Sequence, residues 1–463
     1  MATKTHVLVL ILPVQGHINP LLQFSKLIAS KGIKVTVVFT NPIETTSLAG
    51  NESELIKFEC IPERIKEKEV PENSAQNQDA HEARIQSLKV KVLEHLPLIL
   101  EGKASSGEPV KVVVYDSLVH YAYDVAKELG IQGAAFFTQS AIVSAIFYHL
   151  HEGTLRLPLQ GESITGSLPL VPSIFKQQDM PSFVNDSTGA YASILRFILD
   201  QSLNFHKADC LLINTFDTLE PQIVSWMVSH YPNVKTIGPS IPSMYLDKRM
   251  EDDKDYGITL FKPETQACKQ WLDKKSSGTV VYASFGSLAS LGDEQMTELA
   301  WGLVNSQCDF LWVVRASEES KLPRNFASEL AGKGLIVNWC PQLEVLAHDA
   351  VGCFLTHCGW NSTLEALSLG VPMVVMPQLS DQPTNAKLIV DVWQTGVRLL
   401  SGEDGIVKRG EVETGIKEAI VGDRSIELKN NAVKWKQLAK EAVREGGSSY
   451  ANTEGIVASI LGN

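Results

Sequence analysis

At 463 residues, the chain is long enough for two to four domains of roughly 100–200 residues each, so a single core is not expected. Charged residues make up 20% of it and hydrophobic ones 44%, with 41 Lys and Arg against 53 Asp and Glu and a net charge of −12. That composition excludes a disordered chain, and the acidic balance disfavours nucleic acid and anionic membrane as partners.

The first apolar run, Val7 to Leu12, stops at Pro13 and is too short for a signal-peptide core. No stretch approaches the roughly 18 apolar residues of a membrane span, so no membrane span and a cytoplasmic location are expected. The cysteines (60, 210, 268, 308, 340, 353 and 358) form no C-x-x-C pair, which points to reduced, mostly buried thiols and not to zinc or a disulfide framework. The N-x-[ST] matches at Asn51, Asn185 and Asn361 would go unused in such a chain.

Short β-branched runs follow in order: His6–Leu12, Val35–Thr40, Val110–Tyr115, Ala134–Phe137, Leu211–Asn214 and Thr236–Gly238. Near-continuous apolarity in each is the pattern of parallel strands buried on both faces. A helix is expected over Pro20–Ser30, with Pro20 in its first turn and Lys31-Gly32 as a stop. A second series comprises Thr279–Ala283, Phe310–Val314, Leu335–Asn338, Gly352–Thr356, Pro372–Met376 and Val397–Leu400. Two α/β halves result: domain 1–240, an exposed linker at 241–258 centred on the charge run Asp247–Asp255, and domain 259–445. Residues from about Ser425 read as helical with a break at Gly446-Gly447, and 446–463 is expected to pack back on the first domain.

Several chemistries lack their motifs. Pro13-Val14-Gln15-Gly16-His17-Ile18 holds a single glycine where a dinucleotide site needs three, and neither a P-loop nor a G-x-S-x-G elbow is present. Asp253-Lys254-Asp255 matches D-x-D but lies in the charge run, which reads as surface, so no metal is expected. The segment Trp339–Gln382 is the informative one. A strand ending at Thr356 leads through His357-Cys358-Gly359-Trp360-Asn361 into a helix expected near Ser362 and Thr363. Strand, glycine turn and helix start make an anion site, because helix-start N–H groups and the macrodipole favour phosphate. An ordinary capped helix would suit Asn361, Ser362 and Thr363 equally, but it does not account for the rest of the segment.

W-x-P-Q from Trp339, H-C-G-W-N-S from His357, Glu365 and the final D-Q resemble the signature box of plant secondary-product UDP-glycosyltransferases. The resemblance extends to residues 6–22, V-V-Y-D-S at 113–117, F-F-T-Q-S at 136–140, S-F-G-S at 284–287 and E-G-G-S-S at 445–449. It implies a GT-B fold of the α/β class, two Rossmann-like domains with parallel sheets facing across a cleft. It implies Trp339 flat on uracil, Gln342 near the ribose and Glu365 accepting from the ribose hydroxyls. His357, Asn361 and Ser362 would hold the diphosphate with Ser287, Trp360 belongs to the same donor turn, and Asp381, Gln382 and Thr138 would bind the sugar. UDP-glucose would be the co-substrate, with no further cofactor and no metal, and the protein a monomer.

His17, just past the first strand, and Asp116, just past the third, both emerge at the carboxyl edge of a parallel sheet, where such sheets bind ligands. They are read as a dyad in which His17 deprotonates the acceptor hydroxyl and Asp116 orients and stabilises its ring. The reaction is then one inverting displacement giving a β-glucoside. His120-Tyr121 stands where the family carries Pro-Trp, and Leu379 replaces an aromatic; with Ser140 these are assigned to the acceptor pocket. No Arg or Lys falls within 13–20, 116–121 or 136–147, which favours a hydrophobic steroid, triterpenoid or phenolic acceptor over the alternative, glucose-ester formation on small aromatic acids. The basic loops 61–73 and 172–185 bear on the same question. A hydrolase or phosphorylase on this fold and a non-catalytic binding protein are the rival readings.

Overall fold

A computed structural model describes residues 5–43, 52–62, 78–157, 175–186, 189, 191–324, 326–330 and 332–462. Asn51 and the stretches 63–73 and 172–174 of the two basic loops lie outside the described residues. The chain divides into two compact units, Met1–Leu260 with Glu441–Asn463, and Phe261–Lys440.

The first unit is built on seven parallel strands: β1 (His6–Ile11), β2 (Lys34–Phe39), β3 (Ile56–Cys60), β4 (Val110–Asp116), β5 (Gln132–Phe137), β6 (Cys210–Ile213) and β7 (Val234–Thr236). Their order is β3-β2-β1-β4-β5-β6-β7, so the chain changes direction between β1 and β4, the position where open α/β sheets take ligands. β1 is buried at every position, as its unbroken apolar run requires, and Val7, Val9 and Ile11 join Leu21, Phe24 and Ile28 of the helix Gln15–Ala29 in one core. Each such buried aliphatic side chain contributes about 1.5–3 kcal/mol. β3 has no counterpart among the expected strands. It is an edge strand, half-exposed along its length, so I-K-F-E-C alternates instead of running apolar.

Two expectations are corrected here. The helix begins at Gln15 and not at Pro20, which therefore sits inside it. The Gln15 side chain is held by Leu260 N–H donating to its Oε1 (2.8 Å) and by its own Nε2 donating to the Ile258 carbonyl (3.2 Å), contacts invisible in the local sequence. The stretch 241–258 is no exposed linker but part of the first unit. Asp253 within it is buried and accepts hydrogen bonds from Gln23 Nε2 and Ser243 N–H, both at 2.6 Å, with Lys26 Nζ at 3.4 Å. The helix Ser448–Leu461 completes this unit. Val457 and Ile460 enter its core, while Ser449 Oγ donates to the Gly238 carbonyl and Asn452 Nδ2 to that of Thr236.

The second unit has six parallel strands in the order β10-β9-β8-β11-β12-β13: β8 (Val280–Ser284), β9 (Asp309–Val313), β10 (Gly334–Val337), β11 (Val351–Thr356), β12 (Met373–Val375) and β13 (Gly396–Arg398). Its direction changes between β8 and β11. All seven cysteines are free thiols, four of them buried. Among the described residues no helix is long and apolar enough to cross a membrane.

Candidate active site

In the first unit the β1–β4 switch point carries His17 and Asp116. His17 is the third residue of the helix that follows β1, and Asp116 closes β4. The His17 Nδ1 to Asp116 Oδ2 distance is 2.5 Å, with the carboxylate fully buried and the imidazole partly exposed. An ionised carboxylate only accepts, so the ring proton is on Nδ1 and Nε2 carries the lone pair. Asp116 Oδ1 accepts from Leu118 N–H (3.1 Å), which fixes the carboxylate plane. Behind it, Tyr115 Oη donates to Asn204 Oδ1, Asn204 Nδ2 to the Ser117 carbonyl, and Ser117 Oγ to Gln201 Oε1. Thr138 Oγ1 lies 3.4 Å from His17 Nδ1, so this residue, expected at the sugar, stands beside His17.

His120 and Tyr121 sit edge to face, ring centroids 5.3 Å apart. Among the described residues the buried His120 Nδ1 and Tyr121 Oη have no hydrogen-bond partner. Burial pulls the His120 imidazole below its ordinary range and pushes the Tyr121 phenol up. Ser140, expected at the acceptor pocket, is fully buried and caps the helix Ala141–His151, its Oγ accepting from Val143 N–H. Lys89, outside the acceptor-side motifs, holds its Nζ 6.0 Å from the Tyr121 ring, so a cation does approach that side.

In the second unit the β8–β11 switch point is lined by the segments read as donor site. The helix starts at Trp360, with Gly359 as its N-cap and no side-chain cap; Asn361 and Ser362 are thus first-turn residues, and the ordinary-cap reading does not apply. Cys358 before it holds a left-handed φ of 67°, as does Ser380 at 60°, backbone strain of the kind that gathers at functional turns. The His357 ring is seated between two glycines. A Cβ at Gly286, which follows β8, or at Gly359 would lie 2.6 Å from His357 Nε2. Burial holds the His357 imidazole well below the ordinary range, at about 4, with the Arg315 charge acting in the same direction.

Glu365 is buried and accepts from Gln342 Nε2 (2.6 Å), which also reaches Ser362 Oγ (2.9 Å), while Tyr282 Oη donates to Gln342 Oε1 (2.9 Å). Gln342 therefore aims Glu365. Trp339 stacks on Phe261, centroids 4.5 Å apart. Asn385 Nδ2 donates both to Asp381 Oδ2 (2.7 Å) and to the Cys358 carbonyl (2.9 Å), tying the D-Q end to the glycine turn. Two assignments change. Trp360 is buried with its indole against Trp393, so the helix-start backbone is what it offers a donor. Gln382 Oε1 accepts from the N–H groups of Gln378 and Leu379 (2.9 and 2.8 Å), which leaves its NH₂ group to meet a hydroxyl and also ties down Leu379.

Comparison with known proteins agrees with both halves. The family described as "UDP-glucoronosyl and UDP-glucosyl transferase" matches residues 239–442, and "Glycosyltransferase, N-terminal domain" matches 4–224. The chain is 46% identical to UDP-glycosyltransferase 74E2 of Arabidopsis thaliana, over 97% of each chain. The chain belongs to the UDP-glycosyltransferase family. Mogroside I-E synthase of Siraitia grosvenorii is 45% identical over 98% of each chain. The crystal structure of Os79 from O. sativa with UDP superposes with a TM-score of 0.89 at 35% identity, covering 98% of this chain and 100% of that one, and Os79 has also been solved with U2F and trichothecene. This UDP-glycosyltransferase is thus an enzyme of the GT-B class, with an α/β unit for each of its two sheets.

Residues that the motifs did not reveal hold the candidate site of this UDP-glycosyltransferase in place. Gln201 and Asn204 hold the neighbours of Asp116, Tyr282 orients Gln342, Asn385 joins the Cys358 turn to Asp381, and Arg315 grips the loop after β8. None belongs to a local pattern, since each is defined by a partner far along the chain. Arg315 alone left a trace, as a charge directly after the apolar strand Phe310–Val314.

Proposed function

We propose that the enzyme transfers glucose from UDP-glucose to a hydroxyl of an apolar, ring-containing small molecule by a single inverting displacement, giving a β-glucoside. The observation that carries this is the His17–Asp116 pair at 2.5 Å, in which the carboxylate keeps His17 Nε2 as the proton acceptor. His17 removes the hydroxyl proton as the oxygen attacks the anomeric carbon, and the bond to UDP breaks on the opposite face. The carboxylate balances the imidazolium that forms. Leaving diphosphate charge is met by the helix start at Trp360–Ser362 and by neutral His357 as a hydrogen-bond donor, so no metal or further cofactor is required. Asp381 and the Gln382 amide bind sugar hydroxyls, and Trp339 stacks on uracil.

His17→Ala is the test. With UDP-glucose and an alcohol acceptor, kcat should fall by about 10²–10⁴-fold, the range of general-base catalysis, with UDP affinity unchanged; near-normal turnover removes His17 from the mechanism.

Two relatives bear on the acceptor class: one is named a mogroside synthase and one was solved with trichothecene. The placement of Lys89 beside Tyr121 favours a second reading, ester formation on an aromatic carboxylic acid. Competing a sterol-sized alcohol against a benzoic acid decides between them by the higher kcat/KM.

A further inference from the structure

Arg315 lies just past β9, neighbour of β8 in the sheet. Its side chain is 16% exposed. Nη1 donates to the Ser287 carbonyl and Nη2 to the Ala289 carbonyl. Glu318 stands 3.8 Å from Nη2, and the same carboxylate accepts from Ser290 Oγ (3.1 Å) and pairs with Lys321 (2.8 Å). Lys321 Nζ in turn donates to the Leu291 carbonyl (2.9 Å). The loop after β8 is therefore stapled along its length by one charged group of side chains.

That loop carries Gly286, whose left-handed φ of 71° and missing Cβ make room for the His357 ring. Backbone placement at 286–289 thus sets where the ring can sit. Two carbonyls held by one guanidinium fork have little freedom relative to each other, and a lysine cannot reproduce the fork. The guanidinium stays charged at any working pH and is partly withdrawn from solvent, so its potential at the loop is weakly screened.

We propose that Arg315 is a positioning residue for the donor diphosphate. It holds the Gly286–Ala289 backbone against His357 and places a fixed positive charge behind the phosphate seat without touching the ligand. This rests on the reading that Ser287, His357 and the Trp360 helix start hold the diphosphate. It supplies part of the electrostatic stabilisation that a metal ion gives other sugar transferases, and it predicts a defect confined to ligands that carry phosphate.

Titration calorimetry of Arg315→Met and Arg315→Lys with UDP and with uridine tests it. Wild type should bind UDP more tightly than uridine. In Arg315→Met, UDP affinity should fall at least about tenfold, the scale of one hydrogen bond to a charged group, with uridine affinity within twofold of wild type. Arg315→Lys should fall between wild type and Arg315→Met for UDP and leave uridine unchanged. If Arg315→Met does not fold, Arg315→Lys carries the test alone. UDP affinity unchanged in every variant that folds overturns the proposal, and so does a parallel loss for UDP and uridine, which marks a merely structural role. Equal affinity of wild type for UDP and uridine would overturn the underlying diphosphate reading instead.

Discussion

Asp116→Asn separates the charge of the dyad from its shape. Asp116 Oδ1 accepts from Leu118 N–H at 3.1 Å and Oδ2 from His17 Nδ1 at 2.5 Å, and the group is fully buried. Asparagine has one oxygen and one NH₂ group for these two sites. Turning the NH₂ towards Leu118 would leave two buried donors face to face, at about 1–3 kcal/mol. The stable orientation keeps oxygen on Leu118 and presents NH₂ to His17 Nδ1. That nitrogen must then accept, the ring proton moves to Nε2, and the base is lost. The same exchange in a hydrolytic triad costs about 10⁴ in kcat, so a loss of about 10²–10⁴, or about 3–5 kcal/mol of barrier, is expected with an alcohol acceptor. UDP affinity and thermal stability should stay near wild type, and the ring ¹⁵N shifts of His17 should report the exchanged tautomer. A loss below tenfold with the tautomer exchanged would refute the argument. If the loss is small because the acceptor is an acid, already ionised and in no need of a base, an alcohol run in parallel will still show the full defect.

Gly359→Ala should weaken UDP binding at least about fivefold by displacing His357 Nε2, which a Cβ would approach to 2.6 Å; calorimetry checks this, and unchanged affinity would remove His357 from the phosphate site. Because Gly359 has an ordinary φ of −57° while Gly286 sits at +71°, Gly286→Ala should cost about 1–2 kcal/mol more in stability, read by chemical denaturation. Turnover should be the same in chelator as in magnesium, and a chelator-sensitive rate restored by manganese would contradict the metal-free reading. His357, at about 4 in the fold against an ordinary 6.5, stabilises the protein above pH 6.5 by up to about 3 kcal/mol, less where water reaches the ring. That contribution is lost as pH falls from 6.5 through 4, so the stability of wild type relative to His357→Asn should decline over this window.

Strands were legible wherever both faces are buried, because a run such as Val7 to Ile11 then has no polar position to break it. β3 was not, since at an exposed edge the alternation of Ile56, Lys57, Phe58 and Glu59 carries little signal. Pro20 misled because proline is a common helix starter, whereas the real start at Gln15 is stabilised by main-chain groups at Ile258 and Leu260. Asp253 misled for a related reason: a charge run ordinarily marks solvent, but this carboxylate is buried by donors from Gln23 and Ser243.

The same division runs through the active site. His17 and Asp116 were readable although they are far apart in sequence, because Asp116 closes β4 and His17 lies in the first turn of the helix that follows β1, and sheet topology alone brings the ends of those two strands together. The turn at His357–Gly359 was readable because glycine and a helix start are local events. Side chains that orient others left a weaker mark: Gln342 was readable as a residue of the W-x-P-Q motif but not as the group that aims Glu365, Asn385 not at all, and Arg315 only as a charge after an apolar strand and not as the clamp on two carbonyls. Their functions exist only as pairings: Asn385 meets Asp381 one helical turn back but also the distant Cys358 carbonyl, and Gln342 and Arg315 meet partners on other elements that the local pattern does not encode. His120 and Tyr121 stood out in the sequence only by replacing Pro-Trp; that the Tyr121 hydroxyl and the His120 Nδ1 have no hydrogen-bond partner among the described residues is visible only in the fold. A buried polar atom left without a partner costs about 1–3 kcal/mol, so Tyr121→Phe should leave the fold at least as stable as wild type, and any accompanying loss of acceptor kcat/KM would assign that hydroxyl to substrate.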